Sequence, residues 1–208
     1  MTVGAPEANV DCLRLIELLE TPLRGVSQLE VQKMCFLACV LSLFHGTPAS
    51  EWGYSFARTE FGTPFGRQVD EALGALGNAG CISSEGGRYS LTGRGLLVLQ
   101  SLRELRLLKT RDRYLVAASR CVLLVPQGTV MRGIEQEPTV RSSALKEHAS
   151  ALLQGPALNL LYDHFEGIST VLGSNREDLL SASIVWLTYM ADEPVSRLEP
   201  ADRQTADV

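Results

Sequence analysis

Within residues 60–92, EFGTPFGRQVDEALGALGNAGCISSEGGRYSLT, the local periodicity changes three times with almost no spacer. Pro64 suits a helix entrance, where a missing donor costs nothing, and Val69, Ala72, Leu73, Leu76 and Ala79 recur at the spacing of one helical face. Gly80 ends that pattern. Cys81, Ile82 and Ser83 then read as a short strand, Glu85-Gly86-Gly87 supplies residues tolerant of positive φ, and Tyr89 and Leu91 alternate with Arg88 and Ser90 on the return. Helix, strand, tight turn and strand is the order of a winged helix-turn-helix unit, a fold used for recognition. A chain built this way is expected to bind DNA or a protein and to turn over no substrate.

The flanking segments extend this unit. A first helix is expected over 11–20, with Leu13, Ile16 and Leu19 on one side and Pro22 and Gly25 at its end. Ser27, with Glu30 three residues later, forms a capping box for a second helix through Met34, Phe36, Leu37, Val40, Leu41 and Phe44. Its apolar positions nearly encircle it, so it should be central and stop at His45-Gly46. Trp52, Tyr54 and Phe56 alternate, which predicts an extended segment serving as the third strand beside the hairpin. Thr92 caps a helix expected to run through Leu96, Leu97, Leu99 and Leu102 towards Thr110, with a further apolar stretch over 114–125.

Residues 126–140, polar and holding Gly128 and Gly133 between two prolines, read as a linker, and further helices are expected over 144–153, 157–167 and 176–190. The predicted fold is therefore mostly α with a small β-hairpin wing. It comprises a disordered start (1–9), a winged helix-turn-helix domain (10–125), the linker, a C-terminal helical region (141–193) and a mobile tail (194–208). Leu37, Val40, Leu73, Leu76 and Leu97 should lie in its core.

Charge narrows the choice of partner. The chain has 19 Lys and Arg against 24 Asp and Glu, which disfavours indiscriminate nucleic-acid binding. Yet Arg94, Arg103, Arg106, Lys109, Arg111, Arg113 and Arg120 oppose only Glu104 and Asp112 over 94–120, a local +5 in a chain of net −5. Arg103, Arg106, Lys109, Arg111 and Arg113 are accordingly the expected contacts to an acidic partner or to phosphate. In the expected recognition helix, Arg67 and Gln68 are followed at once by Asp70 and Glu71, and the wing offers only Arg88 against Glu85. Arg67, Gln68 and Arg88 are the residues that nucleic-acid contact would use, and their acidic neighbours oppose it.

The sequence assembles no catalytic constellation. Three histidines lack a Ser or Cys companion, no Gly-x-Ser-x-Gly elbow occurs, and Gly93-Arg94-Gly95 reads as a tight entry into a helix, without the Lys-Ser or Lys-Thr of a nucleotide loop. His148 and His164 lie too far apart for a zinc helix, and Cys35 and Cys39 sit at i and i+4 on an oily helix as core residues would. Neither a metal nor a cofactor is expected. The five scattered cysteines read as buried thiols in a reducing compartment, and no apolar run approaches a membrane span, so a cytoplasmic protein is expected.

The segment Leu29-Glu-Val-Gln-Lys-Met-Cys-Phe-Leu, then Glu60-Phe-Gly-Thr-Pro-Phe-Gly-Arg-Gln-Val with Leu73, Leu76 and Gly80, then Tyr89-Ser-Leu-Thr-Gly-Arg-Gly, resembles a known winged-helix core. It is shared by Panacea-type antitoxin domains and the middle components of ABC-three-component, Lamassu-like, defence systems. The tyrosine-glycine-proline-phenylalanine turn of those families reads here as Phe61-Gly62-Thr63-Pro64-Phe65, with one inserted residue, and the resemblance covers about 26–99, roughly a third of the chain. A middle component implies a non-catalytic adaptor of an anti-phage complex, joining an SMC or Rad50-like ATPase to an effector nuclease, with DNA as a further partner inside that complex. The same ending also resembles MarR and PadR regulators, which implies instead a dimer on a palindromic operator, read by Arg67, Gln68 and Arg88.

Overall fold

The computed structural model describes residues 5–103, 105–144, 151–173 and 178–192. Pro6 occupies the first turn of α1 (Pro6–Leu23), where its absent N–H is no loss, so this helix starts earlier than the apolar pattern predicts. It also runs through Pro22, ending only when Arg24 turns left-handed and Gly25 N–H donates to Glu20 O at 2.7 Å. A two-residue strand β1 (Val26–Ser27) leads into α2 (Gln28–Phe44), whose capping box forms as expected, with Ser27 N–H donating to Glu30 Oε2 at 2.7 Å. Every residue of α2 from Val31 to Leu43 is buried. This helix is the axis around which α1 and later helices of the chain pack.

After a 3₁₀ turn (Ala49–Trp52) the chain forms a small hairpin, β2 (Ala57–Arg58) with β3 (Pro64–Phe65), and then α3 (Arg67–Asn78). Two strands follow, β4 (Ile82–Glu85) and β5 (Arg88–Leu91), turned by Gly86 and Gly87 at positive φ. β5 pairs antiparallel with β4 and, on its other edge, with β1, giving a three-stranded sheet of order β1-β5-β4. The third strand is thus Val26–Ser27, a correction to the aromatic segment expected there. Trp52, Tyr54 and Phe56 are all buried while Gly53 and Ser55 are exposed, so the period of two is real. It reflects side chains packing on a core, and this segment does not join the β1-β5-β4 sheet. Pro64 likewise lies in β3, and the helix begins three residues later.

α4 (Gly93–Leu102) starts on the Thr92 cap, where Gly95 N–H donates to Thr92 Oγ1 at 3.1 Å. A Cβ on Gly95 would meet Cys81 O at 2.0 Å, so the Gly93-Arg94-Gly95 turn is a packing requirement. A separate helix, α5 (Arg106–Leu124), follows where the sequence predicts one helix running on towards Thr110. Leu97 is 67% exposed and Leu99 fully buried, which corrects the expected core, whereas Leu37, Val40, Leu73 and Leu76 are buried as expected.

The expected linker is helical: α6 (Gln127–Glu135) and α7 (Pro138–Ser143) follow directly. Gly133, read from sequence as a loop residue, is instead a point of close helix approach, since a Cβ there would lie 2.7 Å from Leu187 O. α8 (Pro156–Leu172) and α9 (Leu179–Asp192) complete the described chain. Of the helix expected over 144–153, residues 145–150 lie outside the described ones, and Ala151 forms a bridge with Ala57 without entering a helix. The tail expected from 194 onward also lies outside them. Val130, Ile134, Phe165, Trp186 and Met190 from the C-terminal helices belong to the same buried cluster as Leu37 and Leu41 of α2. The described residues are mostly helical, with a three-stranded antiparallel sheet and a separate two-stranded hairpin.

Candidate functional site

The face of α3 is set by what fixes its start. Gln32 on the buried α2 brackets Gly66 with two hydrogen bonds, accepting from its N–H at 2.8 Å and donating to its carbonyl at 3.1 Å. Val69, Ala72, Leu73 and Leu76 then face the core, and Arg67, Asp70, Glu71, Gly74 and Asn78 face solvent. Arg67 pairs with Glu71 at 3.2 Å, so its charge is answered within its own helix. Asp70 accepts from Gln28 Nε2 at 2.5 Å, and Gln68, half-buried, lines a shallow pocket with Tyr54, Phe56 and Leu153. The outward surface of α3 is therefore acidic and small.

Arg88, expected on the hairpin as a nucleic-acid contact, is committed elsewhere. Its guanidinium donates to Leu23 O at 3.1 Å, to Gly25 O at 2.6 Å and to Glu30 at 3.2 Å. It caps the carbonyls at the end of α1, where the helix dipole favours a cation, and ties the sheet to α2. The exposed positions of the hairpin are Ser83, Ser84, Glu85, Gly86 and Gly87, which include no cation.

The basic segment divides into two populations. Arg111 is 4% exposed and stands inside the molecule, which corrects its assignment as a partner contact. Its Nε donates to Asp11 Oδ1 at 2.8 Å, its Nη2 to Asp11 Oδ2, and its Nη1 to Trp52 O at 2.7 Å, while the guanidinium lies 3.7 Å over the Trp52 ring. Tyr54 Oη adds a third donor to Asp11 at 2.6 Å. Burial opposes the charged guanidinium, but hydrogen bonds and attraction from Asp11 outweigh it and hold its pKa above the ordinary arginine value. This cluster clamps α1, the aromatic segment and α5 together. Both partners interrupt apolar helix faces, which was the sequence signal: Asp11 lies among Ala8, Cys12 and Leu15, and Arg111 between Leu108 and Leu115.

The remaining cations of α5 are outside. Arg106, Lys109, Arg113 and Arg120 are all exposed, and steps of three, four and seven residues put them on one side of the helix. Over fourteen residues that stripe is about 21 Å long at the α-helical rise. Arg120, absent from the expected contact set, completes it. Arg113 lies 4.7 Å over the Tyr114 ring and donates to Tyr114 Oη at 2.6 Å. Arg103, half-exposed, pairs with Glu17 at 2.5 Å, and Arg14 bridges Glu17 and Asp112. Arg14, Arg103, Lys109 and Asp112 line a notch of about 350 Å³ at one end of the stripe.

Among the described residues, no group of three or more His, Cys, Asp or Glu side chains is placed to hold a metal ion. His164 packs edge-on against Tyr189 at 5.4 Å, and His148 lies outside the described residues. All five cysteines are free and buried, with burial pushing the Cys39 thiol well above its ordinary range. No helix among the described residues is long and apolar enough to cross a membrane. The chain matches no family model, no curated protein and no solved structure.

Proposed function

We propose that this chain is a non-catalytic winged-helix adaptor, a subunit that joins protein partners, of the kind its resemblance to the middle components of anti-phage complexes implies. Its partners in that reading are an SMC or Rad50-like ATPase and an effector nuclease. The order α1-β1-α2-α3-β4-β5 with a β1-β5-β4 sheet supports the winged-helix assignment. One observation carries the function: the helix that would enter a DNA groove carries Asp70 and Glu71 outward against Arg67 alone, while four exposed cations line one side of α5. Asp70 and Glu71 would repel phosphate, and Arg88 is held by α1 carbonyls, so an operator reader would lack its tools. The α5 stripe of Arg106, Lys109, Arg113 and Arg120 matches an acidic protein surface, or the phosphates of DNA already held by the assembly.

Co-expression with the products of the adjacent genes tests this reading. The wild-type chain should co-purify with them, and Arg106→Glu with Arg113→Glu should abolish the complex while leaving the isolated chain folded. A wild-type chain that enters no complex, or a double reversal that assembles normally, would count against it.

A further inference from the structure

The outward side of α5 has a register as well as a charge. Arg106, Arg113 and Arg120 recur at steps of seven residues, and Lys109, Val116 and Leu123 follow them, each three places on. The two rows therefore alternate by three and four residues, the spacing with which one helix meets another along a seam, and each step of seven advances about 10.5 Å at the α-helical rise. Arg106, Lys109, Arg113, Arg120 and Leu123 are exposed and Val116 is half-buried.

The two rows differ in chemistry. One is arginine throughout, and the other turns from charged to apolar, from Lys109 through Val116 to Leu123. Leu124, four residues beyond Arg120, extends the apolar end, with Leu123 43% exposed and Leu124 64%. A single exposed leucine needs no explanation, but two leucines on the side of the helix that carries Arg120 give the seam a second chemical demand. The one carboxylate of α5, Asp112, is held by Arg14 at 2.6 Å, so the charge that neutralises Arg106 and Arg120 does not come from α5 itself. An occupant must bring negative charge repeating about every 10.5 Å and an apolar surface at one end.

We infer that this seam receives an α-helix of a partner protein, one with carboxylates at seven-residue intervals and an apolar residue placed against Leu123 and Leu124. A nucleic-acid backbone answers the arginines alone, because its phosphates offer the leucines no apolar face. A helix has the repeat of the seam and supplies both chemistries along one side. The inference rests on the adaptor reading and names the form of partner that the α5 stripe takes.

The test replaces Leu124 with the photocrosslinker p-benzoylphenylalanine in source cells, identifies the adduct peptide by mass spectrometry, and measures binding of the synthetic peptide to the full chain. The adduct peptide should come from another protein and carry Asp or Glu seven residues apart. Its Kd should weaken about 10-fold for Arg106→Glu and for Arg120→Glu. Each loss should be recovered by Lys at one peptide carboxylate only, the two rescuing positions lying fourteen residues apart as the arginines do. Leu123→Ser with Leu124→Ser should also weaken binding about 10-fold or more, while the isolated chain keeps its wild-type Tm. No adduct, an adduct only to nucleic acid or to a second copy of this chain, rescue without register, or full binding by the double serine variant overturns the inference. If it is overturned while wild type co-purifies with the adjacent gene products and Arg106→Glu with Arg113→Glu does not, the helix is wrong and the adaptor reading stands. If wild type co-purifies with none, both fall.

Discussion

Arg111→Leu probes the buried clamp between α1, the aromatic segment and α5. It deletes the guanidinium that gives Asp11 two hydrogen bonds, leaves the Trp52 carbonyl without its donor, and strands a carboxylate that is fully buried. Breaking a buried ion pair by removing one partner costs about 3–5 kcal/mol, a large share of the roughly 5–15 kcal/mol that holds an ordinary domain folded. Tyr54 still donates to Asp11, but a neutral hydroxyl cannot replace a guanidinium. Replacing both ions together behaves differently, because an apolar pair of similar volume leaves no buried charge. Urea unfolding at constant m should therefore show Arg111→Leu down by about 3–5 kcal/mol. Asp11→Leu with Arg111→Leu should be destabilised by at least about 2 kcal/mol less than the sum of the single changes. A single-variant loss below about 1 kcal/mol, the level of an exposed ion pair, or simple additivity, would refute the clamp.

Other consequences follow from packing and titration. Gly133→Ala forces a methyl group against Leu187 O and Cδ2, so it should cost about 1–3 kcal/mol in urea unfolding although alanine favours helix; a stabilised variant would show that α6 and α9 do not approach this closely. Burial raises the Glu137 carboxyl above its usual value, against hydrogen bonds from Thr139 and from Val140 N–H that lower it. The folded state then holds the proton more tightly than the unfolded one, so this group's contribution is full below the unfolded value and is lost as pH rises through the folded one. Glu137→Gln should remove that decline, and a wild-type-minus-variant stability difference that stays constant from pH 4 to 7 would contradict it. Arg106→Glu with Arg113→Glu, both exposed, should shift the stability of the isolated chain by no more than about 1 kcal/mol, measured by thermal unfolding.

The parts of this fold that were legible in the sequence are those fixed by short-range chemistry. The Ser27–Glu30 box, the Gly86-Gly87 turn and the α3 face need only neighbours within a few residues. The parts that were not legible depend on distant pairing. β1 has two residues, too few for any periodic signal, and is a strand only because β5 lies beside it. Gly133 looked like a loop residue because its purpose, the approach of α9, lies 54 positions along the chain from its partner Leu187. Charge counting found the basic segment but could not separate the stripe from Arg111, because inside and outside cations are the same letter. Helical phase distinguishes them: Arg111 falls with Leu108 and Leu115 on the buried side, and Arg106, Lys109, Arg113 and Arg120 fall opposite.

The adaptor reading depends on α3 being no reader of bases, and fluorescence anisotropy of the purified chain on duplex DNA tests that most directly. The duplexes would be a random sequence and the best one enriched from a pool, over a salt series. Weak binding near physiological salt is expected, falling steeply with salt, alike on both duplexes and unchanged by Arg67→Ala. Preference for the enriched duplex by about 10³-fold or more, lost on Arg67→Ala and kept when Arg106 and Arg113 are reversed, would make the chain an operator-binding regulator.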